Sequence, residues 1–238
     1  MEDDTTSASP EENKALVLKA FNTLWRQTMR LTGNTIFITV GGSGIGRSLA
    51  VALYKLGNKV IISGCRKSHL DAVVAANPGI EAVELDVADP ASITKIANTL
   101  IAEHPALNVL INNADIMLLD SAAGAMEEKT LTSQIDTNLL GPIRLTAALI
   151  EHLKAQPVAW VIYNSSTLAF TPLAPFATYS ATKAALHSYA MSQRFMLRET
   201  SVRVQEIDAG EPYEHAIAGG LDERAAVFDD RWIDEFAA

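Results

Sequence analysis

Between residues 35 and 207 the chain alternates short apolar runs with longer stretches whose apolar residues return every three or four positions. The short runs fall at 35–40, 59–63, 81–86, 108–112, 159–165 and 202–207, and most are dense in Val, Ile and Leu. A run that is apolar throughout suits a strand buried on both faces, because a strand with one wet face would alternate. The stretches between them, reaching to 56 and then over 67–76, 91–103, about 127–155 and about 176–199, carry the helical period. Strict alternation of strand and helix predicts a parallel, doubly wound α/β sheet of six or more strands with right-handed crossovers.

The two ends fall outside this rhythm. Residues 1–12 are polar and acidic and contain Pro10, the composition of a flexible arm. From 13 to 30 the apolar residues Leu16, Val17, Ala20, Phe21, Leu24 and Trp25 mark an amphipathic helix that belongs to no strand–helix unit. The expected organisation is therefore an arm with an appended helix over 1–30, then one α/β domain over 31–238 with a shortened C-terminus. Docking on the domain is the expected role of the helix; a membrane-surface or partner-binding role is the alternative.

Composition narrows the function classes. Of 238 residues, 48% are apolar and 20% charged, enough for a core inside a soluble domain. A net charge of −9 excludes a nucleic-acid partner, whose phosphates would be repelled. No apolar run reaches the roughly 18 residues of a membrane span. The start, Met1-Glu2-Asp3-Asp4, is acidic where a targeting signal is basic. Cys65 is the only cysteine, which fits a reducing compartment, so a cytoplasmic protein is expected. The five histidines, at 69, 104, 152, 187 and 215, show no paired ligand spacing, and no metal is expected. No Gly-x-Ser-x-Gly is present to mark a serine hydrolase.

Thr39-Val40-Gly41-Gly42-Ser43-Gly44-Ile45-Gly46 joins the first strand to the first helix. Glycines there permit a tight turn and a close backbone approach to a pyrophosphate at the helix N-terminus. The same residues nearly spell the phosphate loop of an NTPase, but Arg47 stands where that loop needs lysine. Tyr179 and Lys183 lie four residues apart on one helix face. A neighbouring ammonium favours the phenolate, which suits the pair to moving a proton to or from a carbinol or carbonyl oxygen. Ser165 and Ser166 close the preceding strand, and Asn112-Asn113-Ala114 closes an earlier one, at the edge where doubly wound folds bind ligands. Asn138 lies inside the long helix, an awkward place for a merely structural amide.

This order of glycine-rich loop, Leu85-Asp86-Val87, Asn-Asn-Ala, helical Asn, Ser and Tyr-x-x-x-Lys resembles the short-chain dehydrogenase/reductase family from about residue 31 to 207. Leu168-Ala169-Phe170, Tyr179–Ala185 read as Tyr-Ser-Ala-Thr-Lys-Ala-Ala, and Leu85-Asp86-Val87-Ala88-Asp89-Pro90 are similar to the branch named after the D-alanine-esterification operon. The resemblance implies a Rossmann fold and an NADP(H)-dependent oxidoreductase interconverting a small alcohol and a carbonyl compound. It makes Tyr179 the general acid/base and gives Lys183 the nicotinamide ribose to hold. Ser166 would orient the substrate oxygen, with Ser165 the lesser candidate, and Asn138 would hold a water linking Lys183 to solvent. Gly41, Ser43, Gly44, Ile45 and Gly46 would cradle phosphate, Asp86 and Val87 would contact the adenine, and Asn112 and Ala114 the ribose region. A homodimer formed through the two long helices is implied as well. The segment 12–21 is similar to the opening helix of small polyketide-cyclase-like proteins, and to nothing beyond that helix.

The chain departs from the family pattern at four places. Val40 takes the position of a glycine, where a β-branched residue is an outlier. Asp115 ends the Asn-Asn-Ala motif in place of glycine and should repel an anionic cofactor unless it turns to solvent. Cys65 replaces an arginine, as a passive substitution, but Arg66 and Lys67 follow it. With no acidic residue to grip a ribose 2′-hydroxyl, NADP(H) is favoured, NAD(H) remaining admissible. After residue 207, Asp208-Ala209-Gly210-Glu211-Pro212 departs from the family's Pro-Gly turn. These departures support the alternative of a degenerate, weakly cofactor-binding relative with a scaffold or sensor role.

Overall fold

The computed structural model describes residues 30–208. The expected N-terminal arm and helix, and the segment from Ala209 onward, lie outside the described residues. Six strands, β1 (Thr35–Ile38), β2 (Lys59–Gly64), β3 (Glu81–Glu84), β4 (Leu107–Asn112), β5 (Ala159–Ser165) and β6 (Val202–Asp208), form one sheet in the order β3-β2-β1-β4-β5-β6. All neighbouring strands run parallel. Strand order reverses between β1 and β4, and a doubly wound sheet opens its ligand crevice beyond the carboxyl ends at that point.

Six α-helices cover the sheet: α1 (Gly44–Lys55), α2 (Lys67–Ala76), α3 (Pro90–Glu103), α4 (Glu128–Ile135), α5 (Gly141–Lys154) and α6 (Ala177–Met196). Leu49, Leu53, Leu70 and Val73 of α1 and α2 pack with Ile36, Ile38, Val60 and Ile62 on one face. Ile93, Leu100, Leu145, Leu149 and Leu186 of α3, α5 and α6 pack with Phe37, Ile61, Leu110 and Val161 on the other. Successive strand residues point to opposite faces, so a sheet covered on both sides requires every central residue to be apolar. Ile36, Phe37 and Ile38 are accordingly all fully buried. Each such side chain contributes about 1.5–3 kcal/mol by leaving water.

Two boundaries differ from the periodicity, each for a local reason. β1 stops at Ile38 rather than at residue 40, because Val40 has φ of +54° and turns the chain out of the strand. The single helix expected over 127–155 is instead α4, a π-helical turn at Asp136–Leu140, and α5. Pro142 has no N–H to offer the carbonyl of Asn138 four residues earlier, so the ladder cannot continue as an α-helix. The Gly141 N–H reaches back to the carbonyl of Asp136, five residues away, and the turn widens. Gly141 itself is fixed by close approach: a Cβ there would lie 2.7 Å from the carbonyl of Val87. At the start of α3, the Asp89 carboxylate accepts from the N–H groups of Ala91 (2.9 Å) and Ser92 (3.2 Å), with Pro90 in the first turn. Among the described residues no helix is long and apolar enough to cross a membrane.

Candidate active site

The carboxyl ends of β1 and β4 are tied by Thr39. Its Oγ1 accepts from the N–H groups of Asn113 and Ala114, each at 2.8 Å. The Asn113 side-chain amide donates back to the carbonyl of Thr39 at 3.1 Å. Against this joint the glycine-rich loop makes its closest approach. A Cβ on Gly46 would lie 2.2 Å from the Val40 carbonyl and 2.5 Å from Asn113 Nδ2, so only glycine fits. Val40 occupies the left-handed region that the sequence pattern assigns to glycine, at a strain cost of about 1–3 kcal/mol. Ser43 is extended and immediately precedes α1, so the loop delivers the first helical N–H groups to the crevice.

At the end of β2 the Arg66 guanidinium donates to Ser43 Oγ at 3.1 Å and stands over the loop. Lys67 turns away to Asp71, at 2.7 and 2.9 Å from its two oxygens. Cys65 packs its sulfur toward the Leu85 carbonyl; burial and then the nearby Asp86 push its thiol pKa up, against Arg66. A raised thiol is a poor nucleophile, which agrees with a passive substitution. Asp86 accepts from the Ala88 N–H at 2.9 Å on the exposed rim, and Val87 is buried beside Gly141.

Tyr179 and Lys183 sit in the first two turns of α6, both almost fully buried. Lys183 Nζ lies 5.3 Å from the centre of the Tyr179 ring and donates to the Asn164 carbonyl at 2.9 Å. Asp115 does not turn to solvent. Its Oδ2 accepts from the Tyr179 hydroxyl at 2.9 Å and lies 2.8 Å from Lys183 Nζ, with only 15% of the side chain exposed. A buried ammonium needs such a partner, and among the described residues Asp115 supplies it. Its other oxygen, Oδ1, is buried without a hydrogen-bond donor among the described residues, and so is Asn113 Oδ1. The crevice thus presents unpaired acceptors beside a phenol and an ammonium.

The remaining predicted residues divide into two groups. Asn138, in the π turn, grips the main chain of Ile116, accepting from its N–H at 2.9 Å and donating to its carbonyl at 2.7 Å. It also approaches Thr182 Oγ1 at 3.4 Å, so it fixes the neighbours of both Asp115 and Lys183. Ser166 is buried, accepts from the Leu168 N–H at 3.1 Å, and lies two residues beyond the carbonyl that holds Lys183. Asn112 stands apart: its amide donates to Thr146 Oγ1 at 3.0 Å inside the α5 side of the core. There Thr146 also accepts from the Tyr163 hydroxyl at 3.2 Å, and burial drives the Tyr163 pKa far up, keeping it neutral. The Asn112 amide nitrogen is thus engaged in the core, its Oδ1 is buried without a donor among the described residues, and Ala114 is placed at the crevice by Thr39.

Three positioning residues carry no signal in the local sequence. Asp120 accepts from the N–H groups of Ala177 (2.9 Å) and Thr178 (2.7 Å), capping α6 two residues before Tyr179. Gln134 Oε1 accepts from the Leu118 N–H at 3.1 Å, one turn from Asn138 and beside it on the same helix face. Thr39 is the third. Each bridges segments distant in the chain, so periodicity and spacing do not reveal them.

Comparison with known proteins identifies the family. Residues 34–213 match the short chain dehydrogenase family. The uncharacterized oxidoreductase DltE of Bacillus subtilis (strain 168) is 41% identical over 180 residues, covering 75% of this chain and 71% of that protein. The NADP-dependent 3-hydroxy acid dehydrogenase YdfG of Salmonella typhi is 30% identical over 176 residues, with coverages of 74% and 71%. A short-chain dehydrogenase from Streptomyces avermitilis superposes with a TM-score of 0.70 at 30% identity. The match spans 74% of this chain and 65% of that one, just under two thirds of the solved structure.

Proposed function

This chain belongs to the short-chain dehydrogenase family, and from that premise we propose that it is an NADP(H)-dependent oxidoreductase acting on a small alcohol or carbonyl compound. The observation that carries the reading is the buried Tyr179–Lys183 pair at the switch-point crevice, beside acceptors that lack donors among the described residues. Those acceptors suit ribose hydroxyls, and the N–H groups that the glycine-rich loop delivers at the start of α1 suit a pyrophosphate, so the residues present fit a dinucleotide. The N–H groups opening α1, with Gly41, Ser43, Gly44, Ile45 and Gly46, hold phosphate. Arg66 reaches the 2′-phosphate, Asp86 and Val87 border the adenine, and Ala114 borders the ribose. NADP dependence of the Salmonella relative supports the same preference.

When bound, the cofactor supplies or accepts a hydride; the chain supplies position and the proton. Tyr179 gives its phenolic proton to a carbonyl oxygen during reduction and takes one from a carbinol during oxidation. Lys183, anchored on the Asn164 carbonyl, sets its side-chain nitrogen beside the phenol, where an ammonium favours the phenolate. Ser166 presents its hydroxyl to the same substrate oxygen. Asn138 holds Ile116, and through it the segment carrying Asp115. A 3-hydroxy acid is a sensible first substrate to assay, given the Salmonella relative.

A second reading, a weakly binding relative with a scaffold or sensor role, is favoured by Val40 at φ +54° and by Asp115 lying on the catalytic pair. Titrating NADPH against the fluorescence of Trp160 and the other tryptophans separates the two. Saturable quenching supports the enzyme, and none at millimolar cofactor supports the relative.

A homodimer through α6 is supported by its outward Met191, Phe195 and Met196, which are 47%, 63% and 74% exposed. Phe195→Glu should then halve the mass measured by light scattering, while an already monomeric wild type would remove the interface. The exposed free thiol of Cys65 suits a reducing, cytoplasmic setting.

A further inference from the structure

We propose that Asp115 makes this site selective for the oxidised cofactor, NADP+ over NADPH. The proposal rests on the reading that Tyr179 and Lys183 seat the nicotinamide ribose. NADP+ and NADPH share every phosphate and sugar; only the nicotinamide ring differs, cationic in one and neutral in the other. Discrimination must therefore come from charges near the ring, which is one glycosidic bond from that ribose.

The described charges at the pair are Lys183, positive, and Asp115, negative, 2.8 Å apart. With glycine at residue 115 the seat would carry one uncompensated positive charge and would disfavour a cationic ring. With Asp115 that positive charge is compensated, and once a ribose hydroxyl takes over the contacts with Tyr179 and Lys183 the carboxylate becomes the charge that faces the ring. The buried Oδ1, without a donor among the described residues, is an independent sign that a donor belongs there. A ribose hydroxyl is such a donor, so Asp115 remains in the seat after it yields its place on the pair. When an alcohol is the substrate, the carbinol carbon loses hydrogen with both electrons to the oxidised nicotinamide. The carbinol proton passes to Tyr179 and on to solvent, leaving a carbonyl compound, reduced cofactor and one released proton.

Dissociation constants of NADP+, NADPH and 2′-phospho-ADP-ribose, which lacks the ring, test this on the full chain. The wild type should bind NADP+ more tightly than NADPH. Asp115→Asn, nearly isosteric but uncharged, should shrink that preference by about tenfold, the attenuated effect of one charge close to the ring. Asp115→Glu should keep the preference, and the ringless analogue should follow NADPH rather than NADP+ across the three proteins. If thermal melting shows that the Asn variant is unfolded, Asp115→Gly carries the same comparison. An unchanged NADP+/NADPH ratio in the uncharged variant overturns the proposal and leaves the cofactor reading intact. No binding of any of the three ligands to any of these proteins overturns both.

Discussion

Val40 is the residue at which local conformation and function meet most directly. A β-branched side chain at φ +54° is strained, yet the Gly46 approach and the Asn113 contact hold the loop in that shape. Val40→Gly keeps the turn and removes a strain already present without ligand, so the domain should gain about 1–3 kcal/mol of stability. Denaturant unfolding reads this directly, and an unchanged stability means the loop holds Val40 without strain; a tighter NADPH constant would show that binding adds to the strain. Tyr179→Phe keeps the ring packed against Leu168 and Phe176 and removes only the transferable proton. Turnover should fall to background while the NADPH constant changes little; full activity in that variant would transfer the acid/base role elsewhere. At this scale the sequence exposes the departures but not their consequences. That Val40 sits at positive φ follows from its place in the loop. That Asp115 turns inward does not, because the hydroxyl it meets lies 64 positions away and the pull comes from the buried ammonium of Lys183, its ion-pair partner among the described residues.

At the scale of elements, periodicity locates strands and helices because each must bury a particular face, and it is blind to how they end. The strand 159–165 and the helix 67–76 coincide with the folded elements, since both are bounded by polar turns. The long helix over 127–155 keeps its apolar period straight through a π turn, because one widened turn shifts the pattern without erasing it. Pro142 is the physical cause, and it lies in plain sight four residues after Asn138. The capping of α6 is wholly tertiary. Asp120 supplies a carboxylate to two N–H groups at the positive end of the helix that carries Tyr179 and Lys183. Asp120→Ala should destabilise the domain by about 1–2 kcal/mol, the range of a lost helix cap. If Asp120 also positions Tyr179, kcat should fall several-fold with KM nearly unchanged, and Asp120→Asn should restore part of it. A loss of stability with kcat intact would confine Asp120 to a structural role.

Across the whole molecule, the sheet order places β1 and β4 side by side at the switch point, so the phosphate loop and the Asn-Asn-Ala segment meet although more than sixty residues separate them. The phosphate loop and Ala114 hang on that joint, and a ligand bound there stabilises the native fold and not the unfolded chain. NADPH at a hundred times its dissociation constant should therefore add about 2.7 kcal/mol to stability. For a chain of this size that corresponds to a rise in melting temperature of about 5–10 °C. NADH at the same concentration should raise it less, because Arg66 has no 2′-phosphate to engage. Arg66→Ala should bring the two shifts together by lowering the one for NADPH, since Lys67 is already committed to Asp71 and cannot take over without breaking that pair. Thermal melts of the wild type, Val40→Gly and Arg66→Ala with each cofactor decide the matter without any knowledge of substrate. A shift with NADPH that survives in Arg66→Ala moves the 2′-phosphate site away from the end of β2. No shift in either the wild type or Val40→Gly leaves the weakly binding relative as the reading that stands.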